Sequence, residues 1–116
     1  YATQIFPLSN QEVRTELHGV TTVFNLPLQI DAITKITAVD VFGARGLMYT
    51  YKLSIYENEY PDFSVFRSSV YQNVLTNLCT NNEMYWYKEN NVDMIYQYLD
   101  ADNNPLVIFS INSFQC

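Results

Sequence analysis

Glycine is scarce in this chain: three among 116 residues. Without clustered glycine the backbone cannot close around a phosphate, which argues against a nucleotide-binding loop. Histidine is scarcer still. His18 stands alone, too few for a zinc site and with no nucleophile that the sequence pairs with it. Its place near the end of an expected helix, where the dipole favours a cation, is the simpler account. No G-x-S-x-G and no H-E-x-x-H occurs, so the expectation is a non-enzyme with no cofactor. Positive charge is thin as well. Arg14, Lys35, Arg45, Lys52, Arg67 and Lys88 are scattered, and twelve acids bring the net charge to −6. Phosphate backbones and anionic membranes need a clustered basic surface, so no nucleic acid or membrane partner is expected. No run approaches the roughly 18 apolar residues that span a bilayer. No N-x-Ser/Thr sequon marks a glycosylated ectodomain. Tyr1 in place of Met reads as a processed chain, with removal of an N-terminal signal or anchor left open.

Cysteine is limited to Cys79 and Cys116. Prenylation needs three residues after the cysteine, zinc needs about four ligands, and a redox pair is expected as C-x-x-C. None of these fits. An intramolecular Cys79–Cys116 disulfide remains, worth about 4 kcal/mol on the chain-entropy model. It implies an oxidising compartment: periplasm, cell surface or exterior. The alternative is two unrelated free thiols.

Aromatic residues, by contrast, are abundant: ten Tyr and seven Phe in a chain that is 48% hydrophobic. They carry large buried areas and favour strands. The length suits one domain, 1–116, with one modest core. Ser9 and Glu12 make a capping box for a helix that Gly19 would stop, with Val13 and Leu17 as its apolar edge. Pro27 then breaks any helix, and residues 28–31 read as a short edge strand. Strand alternation runs through 35–42 and 47–55, joined by Gly43-Ala44-Arg45-Gly46 as a hairpin. The period then changes. Phe63, Phe66, Val70 and Val74, widened by Leu75 and Leu78, make an amphipathic helix with Pro61 in its first turn and Cys79 at its end. Thr80 with Glu83 offers a second capping box, for a short helix stopping at Asn90-Asn91, a left-handed pair. Residues 92–99 and 106–111 form a last hairpin.

The order predicts an α+β fold: a mostly antiparallel sheet of about four to five strands, helices packed on one face, and one disulfide clipping the main helix to the last strand. The hairpin loop Asp100-Ala101-Asp102-Asn103-Asn104-Pro105 begins like a calcium loop. Pro105 and Ile111 stand where that loop needs Gly and Glu, so a polar turn with Asx hydrogen bonds is expected. Tyr85, Trp86 and Tyr87 are consecutive on a short helix and cannot all face one core. With Tyr96 and Tyr98 they either line a groove for a peptide or sugar or pack half-buried with their hydroxyls in water.

Two stretches together resemble a known group. "LPLQIDAITKITAV" followed by "YTYKL" resembles the middle of small exported bacterial proteins. Cys79, the 85–91 stretch, "IYQYLDADNN" and Cys116 follow the order of their C-terminal two-cysteine module. That module is similar to the one closing the β-rich pilotin lipoproteins of type II secretion. The likeness covers about residues 26–116. Asn90-Asn91 and Asn103-Asn104 stand where the module usually has glycine, and no cysteine precedes Cys79 to match a pilotin's acylated one. The resemblance implies a non-catalytic periplasmic or envelope binding protein, at the periplasmic face of the outer membrane. It would be an assembly factor that holds a segment of a secretion or envelope protein. Its groove would lie between sheet and main helix, at Phe63, Phe66, Val70 and Tyr51, with Tyr85, Trp86 and Tyr87 as further candidates. The competing expectations are an inhibitor or immunity-type protein that neutralises an enzyme or phage component, and a small-ligand carrier.

Overall fold

Ser9 sets the first helix in place. Its hydroxyl accepts from the Glu12 amide at 3.2 Å while the Glu12 carboxylate accepts from the Ser9 amide at 3.0 Å, the capping box expected from sequence. The computed structural model describes residues 8–56 and 63–116. Helix α1 spans Asn10–Thr21 and buries Val13 and Leu17 completely. It does not stop at Gly19. Val20 packs against the core, and the Thr21 and Thr22 hydroxyls donate to the carbonyls of His18 and Gly19, so the last turn is held two residues further on.

Five strands follow: β1 (Leu28–Gln29), β2 (Thr34–Phe42), β3 (Gly46–Leu53), β4 (Asp93–Leu99) and β5 (Pro105–Ile111). They lie side by side in chain order. Three of the four joins are antiparallel and β3 runs parallel to β4, so the sheet is mostly antiparallel, as expected. A parallel pair needs a long crossover, and the chain between β3 and β4 supplies helices α2 (Ser64–Thr80) and α3 (Tyr85–Glu89). The β2–β3 loop is Gly43-Ala44-Arg45, one residue shorter than the sequence suggested, because Gly46 pairs with Phe42. A Cβ at Gly46 would collide with the Phe42 carbonyl, and Gly43 has φ +66°. These are the two places where only glycine fits comfortably.

Helix α2 begins at Ser64 with Phe63 as its N-cap residue; the expectation of Pro61 in its first turn falls on a residue outside the described ones. The second capping box is corrected. Thr80 ends α2, with its hydroxyl donating to the Thr76 carbonyl at 2.7 Å, and Asn81 caps the next turn by accepting from the Glu83 amide at 2.9 Å. A 3-10 turn, Asn82–Met84, then leads into α3. Of the expected left-handed pair only Asn91 has positive φ, at 51°; Asn103 is the other such asparagine, at 67°. The 100–105 loop is an Asx-type turn. The buried Asp100 carboxylate accepts from the amides of Asp102 and Asn104 and from the Asn104 side chain.

Cys79 and Cys116 are joined, with Cα atoms 5.5 Å apart. The bridge ties the end of α2 to the 3-10 turn Ser113–Gln115 that follows β5, rather than to the strand itself. Both long helices cover one face of the sheet. The core beneath them comprises Val13 and Leu17 of α1, Leu78 of α2, and inward residues from β2 to β5.

Candidate functional site

Side chains on β3 and β4 alternate, so Tyr49, Tyr51, Tyr96 and Tyr98 point to the helix-covered face. The parallel register sets Tyr49 beside Tyr96 and Tyr51 beside Tyr98. Their rings stack at centroid distances of 5.4 Å and 4.6 Å, and Tyr51 meets Tyr96 diagonally at 6.2 Å. Helix α1 touches β2 and β3, and Phe24 just beyond it meets Tyr49 edge-on at 6.1 Å. Helix α2 lies over the other half. Phe66 stands edge-on to Tyr98 at 5.3 Å, Tyr71 to Phe109 at 5.4 Å, and Arg67 sits over Phe109. The four tyrosines therefore floor the seam between the two helices, on the central strand β3 and its neighbour β4.

Four of the residues expected to bind a partner meet here. Phe63 contacts Phe66 at 6.3 Å, Phe66 and Tyr51 both contact Tyr98, and Val70 lies one turn beyond Phe66 on the same helix edge. All four are half-buried and pack against the core, so they serve as wall and floor at once. Tyr87 joins them at the α3 end. It lies near enough to Tyr49 and Tyr96 to act on their phenols and stands edge-on to Trp86 at 5.3 Å. With Glu16 and Val20 of α1, Trp86 and Tyr87 line a dent of about 180 Å³. Tyr85 is turned away, 56% exposed. The three consecutive aromatics thus divide as helical geometry requires.

No described residue hydrogen-bonds the hydroxyls of the four floor tyrosines, and no fully buried polar side-chain atom lacks a partner, so each phenol oxygen keeps some solvent contact although Tyr96 and Tyr98 are buried. Their rings remain well covered. Burial, and then the neighbouring phenols, push Tyr49, Tyr51 and Tyr96 well above the ordinary tyrosine value. Burial, and then the nearby Asp31 carboxylate, push Tyr98 up to about 12. Burial raises Tyr87 too. The result is a stacked, largely buried tyrosine layer whose phenols stay neutral at ordinary pH and can both donate and accept. Among the described residues no cluster of three metal-ligating side chains occurs.

Tyr49 is the floor residue that the sequence did not single out as a contact. Its signal was the same strand alternation that marked Tyr51, but its neighbours appear only once β3 is known to pair with β4. Asn90 has a larger role than the left-handed turn that the sequence predicts. It is fully buried. Its side chain accepts from the Leu8 amide at 2.8 Å and donates to the Trp86 carbonyl at 2.9 Å, and its carbonyl accepts from the Arg45 guanidinium. Arg45 also donates to the Leu8 carbonyl and the Asn10 side chain. The start of α1, the β2–β3 loop and the end of α3 are thereby locked together.

No protein-family model matches this sequence, and no curated protein sequence matches it. Solved structures do. A Pseudomonas aeruginosa protein described as secreted shares the fold with a TM-score of 0.78 and 16% identity, over 100% of this chain and 99% of that one. EpsS, the pilotin of the Vibrio vulnificus type 2 secretion system, aligns with a TM-score of 0.67 and 5% identity over 92% of this chain and 90% of its own. AspS, the type II secretion pilotin of Vibrio cholerae, aligns at 0.59 and 14% over 92% and 91%. At these identities the likeness is one of fold.

Proposed function

We propose that this chain is a non-catalytic, pilotin-like assembly factor of the bacterial envelope. The observation that carries the proposal is the fold, similar to two type II secretion pilotins across 92% of the chain, a likeness that the sequence motifs had suggested. The disulfide suits an exported protein in an oxidising compartment such as the periplasm. The partner is a segment of a secretion or envelope protein, with a secretin as the leading case. Its apolar side enters the seam between α1 and α2, against Tyr51, Phe66 and Val70, while polar groups meet the phenols. The net charge of −6 favours a second reading, an inhibitor that places its acidic surface on a basic cleft; binding that collapses in high salt would mark that case.

Affinity capture from a detergent-solubilised envelope extract tests the first reading. The expected result is a secretin enriched by the wild-type chain and lost with Tyr51→Glu or Phe66→Glu, both variants keeping a folded circular-dichroism spectrum. Recovery of no envelope protein, or equal recovery by the wild type and both variants, overturns it.

A further inference from the structure

The sheet face turned away from the helices carries a charge pattern that the seam does not use. Lys35 and Lys52 are direct cross-strand partners on β2 and β3, side by side at one end of this face. Like charges in that position cost stability, and no described residue forms an ion pair with either lysine. Towards the other end of the same face lie Asp40 and Asp93, both exposed. Between the lysines and Asp93 lie Thr50 and Gln97 and then the apolar side chains of Met48, Ile95 and Ile108. Ile108 is 57% exposed, and Phe42 at the aspartate end 55%. Gly46 lies directly beside Asp93 and adds no side chain, so this end opens into a depression of about 580 Å³ lined by Phe42, Gly46, Asp93, Ile95 and Ile108 among others.

We propose that this face pairs with the same face of a second copy of the chain, the strands of the two sheets running antiparallel across a twofold axis. The axis crosses β3 between Met48 and Thr50. Lys52 and Gly46 are about 20 Å apart along β3, so this arrangement sets each Lys52 opposite Gly46 of the second copy. The lysine stem fills the notch and its ammonium reaches Asp93 of the second copy. Stacking in the parallel sense brings the two lysine ends together and the two aspartate ends together, so the charges favour the antiparallel arrangement. The chain as a whole carries −6, but these two lysines and two aspartates balance, so the repulsion between copies is weakest here. Sheets packed in this way interdigitate about 10 Å apart, which would cover Phe42 and Ile108. A face four strands wide and about 20 Å long is at the small end of specific interfaces, so the expected dissociation constant is micromolar. The tyrosine seam lies on the opposite face and stays open in both copies.

Sedimentation velocity of the full chain, from micromolar to submillimolar concentration, tests this. A monomer–dimer equilibrium is expected, weakening about tenfold between low and half-molar salt. Lys35→Asp/Lys52→Asp and Asp40→Lys/Asp93→Lys each become monomeric, and an equimolar mixture of the two restores a dimer. A monomer at every concentration, leaving the face to another protein or to lipid, overturns the proposal. So does a dimer that both charge reversals leave intact. If either charge-reversed protein fails to fold, Ile108→Glu decides, because that exposed side chain is replaceable without loss of core: a dimer it leaves intact overturns the proposal, and a monomer sustains it.

Discussion

The phenols of Tyr49, Tyr51, Tyr96, Tyr98 and Tyr87 tie the stability of the fold to alkaline pH. Each folded value lies above 10.0, so the native state holds these protons after an unfolded chain has released them. The sign follows. Below about pH 10 both states are protonated and the contribution is complete; above it the unfolded state binds fewer protons, so stability falls as pH rises. For Tyr98 the loss runs from 10 to about 12, and for Tyr49, Tyr51 and Tyr96 it continues higher. Absorbance of phenolate at 295 nm, followed together with near-ultraviolet circular dichroism, checks this. These tyrosines should ionise in one cooperative step that coincides with loss of the aromatic dichroism. If they titrate near pH 10 while the dichroism persists, the floor is wetter than its ring packing implies.

Among the elements, α1 was legible almost to the residue at its start and misjudged at its end. The reason is instructive. A capping box is a local bargain between Ser9 and Glu12, and sequence spacing alone displays it. The stop depended on Val20 finding the core, a tertiary fact that overrode glycine's reputation as a terminator. Gly19 is therefore a helix-interior glycine with no heavy atom within 4 Å of where its Cβ would stand. Gly19→Ala is expected to raise stability by about 0.5–1 kcal/mol, read as a higher urea midpoint at constant slope. A lower midpoint would mean that α1 ends before Gly19 in solution. Likewise the Thr-x-x-Glu spacing predicts a cap at Thr80, because it fits the box pattern. Asn81, one residue on, has the shorter reach to the Glu83 amide and does the capping.

Across the whole molecule, alternation in β2 to β5 and the helical spacing of α2 were readable because each is a repeat within a single segment. The parallel joining of β3 to β4 was not, since no local period records which strand lies beside which, and the seam exists only because of that joining. Long-range order in this chain is also where the disulfide acts. Leu78 is the one side chain of α2 buried outright, and it is the immediate neighbour of Cys79; the rest of the helix's apolar edge, from Phe66 to Leu75, is only half-buried. The bridge and Leu78 thus anchor α2 at one end, while its other end rests on ring edges. Replacing both cysteines, Cys79→Ser/Cys116→Ser, should cost about 4 kcal/mol, a large fraction of the stability of a domain of this size. The loss should be uneven: hydrogen exchange should show α2 amides opening at lower free energy than those of β3 and β4, whose ladder and stacked tyrosines do not depend on the bridge. If α2 and the central strands open together in that variant, the helix is held by its packing along the seam. A partner segment would then have to enter without lifting it.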